Sequence, residues 1–465
     1  VGITRPCTKH NYLVKDVKDL ARVLYEAFYV ARSGRPGPVV VDLPKDVMNT
    51  PTDYAALGEV AHKTYRPQIK GDAAKIEEAA RLLAEAERPI IYAGGGVINS
   101  GPAASEHLLA LAKLTGFPVT NTLMALGCYP ASDKQFLGML GMHGTYEANM
   151  AMHDCDVMLA VGARFDDRVT GRLADFSPDS KKIHIDVDPS SINKNVMVDV
   201  PIIGDAGQAL ADLVTAWKTL DLKPRSDRVV EWWRQIDQWR GRDSLRYTQG
   251  DKAIMPQFAL ERLQERLATR DSYVTTEVGQ HQMWAAQFLK FQEPKRWMTS
   301  GGLGTMGYGF PAAMGVQIAH PEALVVCVAG EASFMMNMQE LSTIKQYNLP
   351  VKVFILNNEY LGMVRQWQEF FHGGRYSESY SSSLPDFIAL AESFGIKGMR
   401  AKHADEVGPL IDEMIAHDGP VIADVCVEQL ANVFPMIPAG AGHHEMKLGA
   451  EDGVAPRTEE GMVLV

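Results

Sequence analysis

Residues 323–333 read ALVVCVAGEAS and residues 351–358 read VKVFILNN. Each is a short apolar run rich in Val or Ile that ends in small or polar residues, the pattern of a strand buried on both faces. The residues between them, near 336–347, read as a helix, so the three form one strand–helix–strand unit of a parallel sheet. Open parallel sheets bind ligands at the carboxyl ends of their strands. There Glu331, Ala332 and Ser333 follow the first run, and Asn357 and Asn358 close the second. Twenty-seven residues lead from Glu331 to Asn358, enough for one helix and one strand. A carboxylate and an amide oxygen from neighbouring strands can therefore converge on one hard cation such as Mg²⁺. The small-residue turn Gly330-Glu331-Ala332-Ser333 also lets backbone N–H groups approach a phosphate. Alone, G-E-x-S is a helix cap and Asn-Asn a turn; at this spacing they describe a Mg²⁺–diphosphate site.

The same alternation extends outward in both directions. Downstream of residue 256 it runs through a helix (257–268), the strand SYVTTEVG (272–279) and a Gly-rich turn SGGLGTMGYG (300–309) that leads into a helix. The two strands above follow, then KGMRA (397–401), a helix (405–417) and PVIADVCV (420–427). Upstream come a helix (74–86), PIIYAGGG (89–96), a helix (103–115), FPVTN (117–121), DVMLAVG (156–162), KIHIDVD (182–188) and a helix over 206–220. The expected fold class is α/β, with two doubly wound parallel-sheet domains over 73–220 and 253–430. Residues 51–72 and 221–252 are expected linkers, the second a charged, Trp-bearing helix lying on a surface. Residues 1–50 read as a helix (16–32), a G-R-P-G-P turn and one buried strand (38–43). That is too little for a core of its own, so the expectation is the tail of a domain whose earlier part is absent. Residues 431–465 are expected to form a tail that covers the site or is disordered.

Composition narrows the partners. The 465 residues are 46% hydrophobic and 22% charged, the balance of a globular chain of two to four domains. A formal charge of -11 excludes a broad nucleic-acid or anionic-membrane surface. Any anionic substrate must be held by a few placed groups. Five scattered cysteines with no C-x-x-C pair read as buried free thiols in a reducing compartment. With no apolar run of membrane-spanning length and no signal segment, the expected location is cytoplasmic, or the organellar stroma in a eukaryote.

Over 330–358 the chain resembles the thiamin-diphosphate enzymes, whose motif opens with Gly-Asp-Gly and closes with Asn-Asn over nearly this interval. Here Glu331 stands for Asp and Ala332 for the second Gly; glutamate keeps the charge and lengthens the arm by one methylene. Four further phrases are similar to the acetohydroxyacid (acetolactate) synthase family: GRPGPVVVDLPKDV (34–47), LGMHG (140–144), VGARFDDRVTG (161–171) and NNEYLGMVRQWQ (357–368). The resemblance runs from residue 1 to about 438. It implies domains of the thiamin-diphosphate-binding fold around a Rossmann-like central FAD domain, with residues 1–50 the remnant of an N-terminal pyrimidine-binding domain.

By that resemblance the metal is held by Glu331, Asn358 and Tyr360. Thiamin diphosphate meets Gln280, His281, Gly304, Met306, Gly330, Ala332, Ser333 and Met363, with Met306 beneath the thiazolium. FAD meets Arg35, Gly94, Gly95, Gly96, Thr122, Leu123, Met142, His143, Gly162, Ala163, Arg164, Asp166, Arg168, Val169, Asp186 and Asp205. Arg168 takes the carboxylate of the second 2-keto acid, Trp367 shapes the pocket for its methyl or ethyl group, and Lys45 and Met363 line the channel that Met436 helps to cover. The bland readings of these residues are a satisfied core histidine for His281, a flexible loop for G-G-G, and pairing of Arg164 or Arg168 with Asp166, Asp167 or Asp175. The activating glutamate of the family is not found in this chain, and Glu26 is expected on the surface without a role.

The implied activity is a transferase reaction. Pyruvate is decarboxylated and its two-carbon unit is passed to a second pyruvate or to 2-oxobutyrate, the first common step of branched-chain amino-acid biosynthesis. The implied assembly is a homodimer or homotetramer with a small regulatory subunit. Alternatives are a sister enzyme (glyoxylate carboligase, sulfoacetaldehyde acetyltransferase or oxalyl-CoA decarboxylase), an FAD oxidoreductase, or a cofactor-binding fragment without turnover.

Overall fold

The computed structural model describes residues 1–54, 62 and 64–452; parts of the first expected linker and of the expected tail, 55–61, 63 and 453–465, lie outside them. Among the described residues two six-stranded sheets and one two-stranded sheet occur, all with parallel pairing.

The first large sheet has the spatial order Phe136–Met139, Val119–Asn121, Pro89–Ala93, Val157–Val161, Lys181–Asp186, Val200–Ile203. In chain order this is 3-2-1-4-5-6, the doubly wound order whose switch point lies between the first and fourth strands. The second has the order Trp297–Thr299, Ser272–Thr276, Leu324–Ala329, Lys352–Asn357, Val421–Cys426, Lys397–Ala401. Its strand order reverses between Ser272–Thr276 and Leu324–Ala329, so Gln280, His281 and Glu331 stand at a switch point.

The strand Leu324–Ala329 shows why such runs lack alternation. Val326 and Val328 enter one apolar cluster and Val325, Cys327 and Ala329 another on the opposite face, so both sides of the pleat are covered. Expected helices fall within a residue or two of the observed Ala73–Glu85, Pro102–Thr115, Ala206–Thr219, Pro256–Leu267 and Ala404–Ala416.

Several expectations need correction. The helix expected over 336–347 is broken into Glu331–Met335, a 3₁₀ turn Met338–Glu340 and Leu341–Gln346. The helix Ser226–Arg240 does not simply lie on a surface. Val229, Trp232, Ile236 and Trp239 recur at helical spacing and are buried, and the Trp232 indole N–H donates to the Pro89 carbonyl at 3.1 Å. The strand Val39–Asp42 is half-buried rather than buried, because its one partner is the short strand His10–Leu13. Cys128, Cys155 and Cys327 are buried thiols, whereas Cys7 is exposed and Cys426 half-buried. Glu26 is half-buried and pairs with Arg22 at 3.0 Å.

The chain after Val421–Cys426 folds back across both large sheets. Ile437 N–H donates to the Met142 carbonyl and Arg172 N–H to the Ala441 carbonyl, while Met436 and Lys447 exchange a pair of backbone hydrogen bonds. Val433, Met436, Ile437 and His443 are buried, so residues 431–447 are packed structure over the junction. No helix of the described residues is long and apolar enough to cross a membrane.

Candidate active site

Glu331 opens the helix Glu331–Met335 directly after a buried strand, and its residue is 1% exposed. One carboxylate oxygen, Oε1, has no hydrogen-bond partner. Burial pushes its pKa up to about 8, partly offset by the backbone N–H groups of Glu331 and Asn358, with Asp424 and Glu359 adding repulsion. A buried carboxylate with an open oxygen is what a cation would complete. On the neighbouring strand, buried Asn358 accepts the Tyr360 N–H at 3.2 Å and donates to Gln280 Oε1 at 3.2 Å. Glu331, Asn358 and the turn at Tyr360 thus lie together, and an oxygen donor set of this kind fits Mg²⁺.

His281 is not a satisfied core histidine. Its ring is buried, Nε2 has no partner, and burial holds its pKa down at about 3, so the imidazole is neutral. A side-chain carbon at Gly330 would lie 2.7 Å from His281 Nδ1, so glycine there lets the ring lie against the start of the Glu331 helix. A neutral buried imidazole and a small-residue turn beside an open carboxylate suit a cation-bound diphosphate. Ser333 Oγ is spent within its own turn, donating to the Gly330 carbonyl at 3.1 Å; Ala332 is half-buried beside it.

Met306 and Gly304 lie in the Gly-rich turn, the first half-buried and the second exposed with φ of +74°. Sequence reasoning missed what holds this turn. Glu277, buried at the end of its strand, accepts the N–H groups of Gly307 at 2.6 Å and Phe310 at 2.9 Å. Burial raises its pKa and those N–H groups oppose the rise. The signal was present: a carboxylate inside SYVTTEVG has no surface to face.

The helix Gly362–Phe371 carries Met363 and Trp367. Arg168 stands over the Trp367 ring with its guanidinium carbon 5.5 Å from the centroid. Trp367 itself belongs to an apolar cluster with Met142, Phe370, Phe371, Phe434 and Met436. Arg164, in contrast, pairs with Asp166, the bland reading given for it. Two buried residues of the same helix also escaped notice. Gln366 takes the Gln280 amide at 2.8 Å and the Val433 N–H at 2.8 Å. Arg365 donates to the Ala431 carbonyl at 2.8 Å. They tie Gln280 to the returning chain.

Most of the other expected residues belong to the first large sheet and the loops that follow its strands. Gly94 and Gly96 are required by the chain itself: a side-chain carbon at Gly96 would lie 2.5 Å from Gly162 Cα, and Gly162 has φ of +61°. Gly95 is less confined. Thr122 Oγ1 and His143 Nε2 are buried without partners; His143 Nδ1 contacts the Pro435 carbonyl at 3.0 Å and burial lowers its pKa to about 4. The carbonyl of Leu123 accepts Trp297 Nε1, that of Ala163 faces His184 Nε2, and that of Val169 faces His443 Nε2. Asp205 caps the helix Ala206–Thr219, Asp186 accepts the Asp188 N–H at 2.8 Å, and Arg35 pairs with Asp188 at 3.1 Å. Lys45 is exposed at the start of Lys45–Asn49.

Two family models match: the thiamine pyrophosphate enzyme C-terminal TPP binding domain over residues 277–425 and the thiamine pyrophosphate enzyme central domain over 76–213. Sheet, switch point and site therefore define a thiamin-diphosphate-dependent enzyme. The chain is 48% identical over 453 residues to the acetolactate synthase isozyme 3 large subunit of Escherichia coli, covering 96% of this chain and 78% of that protein. It is 45% identical, with the same coverage, to the acetolactate synthase large subunit of Haemophilus influenzae. To the acetolactate synthase of Mycobacterium leprae it is 44% identical over 98% of this chain and 73% of that one. The chain belongs to the acetolactate synthase large-subunit family of thiamin-diphosphate-dependent transferases.

Proposed function

We propose that the protein makes 2-acetolactate from two pyruvates, and 2-aceto-2-hydroxybutyrate from pyruvate and 2-oxobutyrate, using thiamin diphosphate, Mg²⁺ and FAD. On this reading residues 253–430 hold thiamin diphosphate and Mg²⁺, and residues 73–220 hold FAD. The observation that carries it is the buried Glu331 carboxylate with one open oxygen, set beside Asn358 and the open Nε2 of His281 at the switch point.

Glu331, Asn358 and the turn at Tyr360 hold the cation; Gln280, His281 and the Gly330–Ser333 turn receive the diphosphate. When bound, thiamin diphosphate supplies the electron sink for decarboxylation and carbon–carbon bond formation. Glu277 fixes the Gly-rich turn that presents Met306. Arg168, whose guanidinium lies against Trp367, receives the carboxylate that the second keto acid retains, a task suited to a planar fork of N–H donors. Trp367 and Met363 bound the space for that acid's alkyl group, Lys45 flanks the approach, and the packed segment around Met436 keeps water out.

The strand order 3-2-1-4-5-6 and the open Thr122 Oγ1 and His143 Nε2 near its switch point support FAD in the first domain. The flavin has no redox part in this stoichiometry, because pyruvate decarboxylation and ketol formation are electron-neutral overall. The working form is a homodimer or homotetramer in the cytoplasm, with a small regulatory subunit as partner. Assaying acetolactate from pyruvate while omitting each cofactor in turn, with the flavin absorbance recorded, tests this reading. Product that needs thiamin diphosphate and Mg²⁺ with an oxidised flavin throughout is expected; flavin reduction by pyruvate would overturn it.

A further inference from the structure

One carboxylate of the second domain is out of place by composition. Asp424 lies in the middle of the apolar run PVIADVCV, is 1% exposed, and sits on a strand with neighbours on both sides. In register it faces Ile355 on one neighbour and Arg400 on the other. Arg400 Nε donates to Asp424 Oδ2 at 2.8 Å, and the other end of the same guanidinium grips Asp386 at 3.0 Å. Asp386 in turn caps the helix Phe387–Ser393. The charge is therefore paired and anchored, and one oxygen remains to do something else.

That oxygen, Oδ1, accepts the Asn357 amide N–H at 3.0 Å. A carboxylate can only accept, so it decides which way the Asn357 amide points: the NH₂ toward Asp424, the carbonyl away from it. The carbonyl, Oδ1, then receives the Glu359 N–H at 3.2 Å. Glu359 has φ of +60°, a left-handed conformation that a non-glycine residue adopts only when something holds it. The turn it makes brings the Tyr360 N–H to Asn358 Oδ1 at 3.2 Å and leaves Asn358 Nδ2 donating to Gln280 Oε1 at 3.2 Å.

We propose that Asp424 is a positioning residue for the cation-binding turn. Held by Arg400, it orients the Asn357 amide, which clamps Glu359 in its left-handed conformation and so presents Asn358 and Tyr360 opposite Glu331. Asp424 hydrogen-bonds to Arg400 and Asn357, and its contact with the turn is the Asn357 amide. The proposal rests on the cofactor reading above. It extends that reading from the groups that hold the cation to the one that sets their geometry, where partners in the outer shell are worth about 10–100-fold in affinity.

The test is a double-mutant cycle on cation affinity, with Mn²⁺ as the spectroscopically visible probe in the presence of thiamin diphosphate, read by electron paramagnetic resonance. D424N and N357A are each expected to weaken Mn²⁺ binding about tenfold or more. In the N357A background D424N is expected to add less than about twofold, because its route is already cut. D386N, which leaves the Asp424–Asn357 contact in place, is expected to stay within about twofold of wild type. Wild-type affinity in D424N, independent multiplying effects of D424N and N357A, or a loss in D386N equal to that in D424N would each overturn the proposal. If D424N does not fold, N357S carries the test, with weakened binding at unchanged cation-free melting temperature expected and unchanged binding contradicting it. A folded wild-type protein that binds no Mn²⁺ would remove the cofactor reading, and this proposal with it.

Discussion

The Arg168 guanidinium stacks over the Trp367 indole at 5.5 Å, joining a short helix of the first domain, Asp167–Thr170, to the helix Gly362–Phe371 of the second. The pair combines a cation for a carboxylate with an apolar wall for an alkyl group. Replacing Trp367 with Leu enlarges the pocket, and one methylene in such a pocket is worth about 10–200-fold in discrimination. In a mixture of pyruvate and 2-oxobutyrate, W367L is expected to shift the ratio of the two products by about tenfold, measured by chromatography. An unchanged ratio would place the acceptor elsewhere.

The three glycines at 94–96 are not equivalent. Gly96→Ala puts a carbon 2.5 Å from the Gly162 backbone and is expected to cost about 2–4 kcal/mol in urea unfolding. At Gly95 the nearest obstacle is the Met124 side chain at 3.2 Å, so Gly95→Ala is expected to cost about 1 kcal/mol or less. If Gly95 faces the flavin, its loss shows in FAD affinity while stability holds.

Two buried histidines fasten the returning chain. His143 faces the Pro435 carbonyl and His443 faces that of Val169, and burial lowers both from 6.5 to about 4. A released or unfolded chain takes up their protons near pH 6.5, whereas the folded one does so only near pH 4. The stability they contribute is therefore present above pH 6.5 and is lost as pH falls toward 4, by about 1.4 kcal/mol per unit for each group. Hydrogen-exchange protection factors in residues 434–446 are expected to fall across that window, and His443→Gln to flatten the dependence.

Glu331 has the opposite sign. Its folded value of about 8 stands above the ordinary 4.5, so the cation-free protein is expected to lose stability as pH rises from 4.5 through 8. Melting in chelator should show this slope, and Glu331→Gln should remove it.

Both large sheets were legible because their central strands are buried on two faces and their helices carry one apolar stripe. Four strands escaped: His10–Leu13, Phe136–Met139, Val200–Ile203 and Trp297–Thr299. Each has only three or four residues, and two are interrupted by Gly138 or Pro201, so local pattern gives no period to count. In the site, Glu331, Asn358 and His281 were legible as polar residues at strand ends. Glu277, Gln366 and Asp424 were not singled out, since their partners Gly307, Gln280 and Asn357 lie 30 or more residues away in the chain. Asp424 and Glu277 did carry a sign of their own, a carboxylate within or at the end of an otherwise buried strand. Arg164 pairs with Asp166, the plain ion pair weighed for both arginines, while Arg168 stacks on Trp367.

The most direct measurement is calorimetric titration of thiamin diphosphate into the protein with and without Mg²⁺, in wild type and Glu331→Gln side by side. Tight binding is expected only when Mg²⁺ is present, with a loss of about 100-fold in Glu331→Gln and the fold intact by circular dichroism. Equal binding by the two proteins, or binding indifferent to the cation, would contradict a cofactor site built on Glu331.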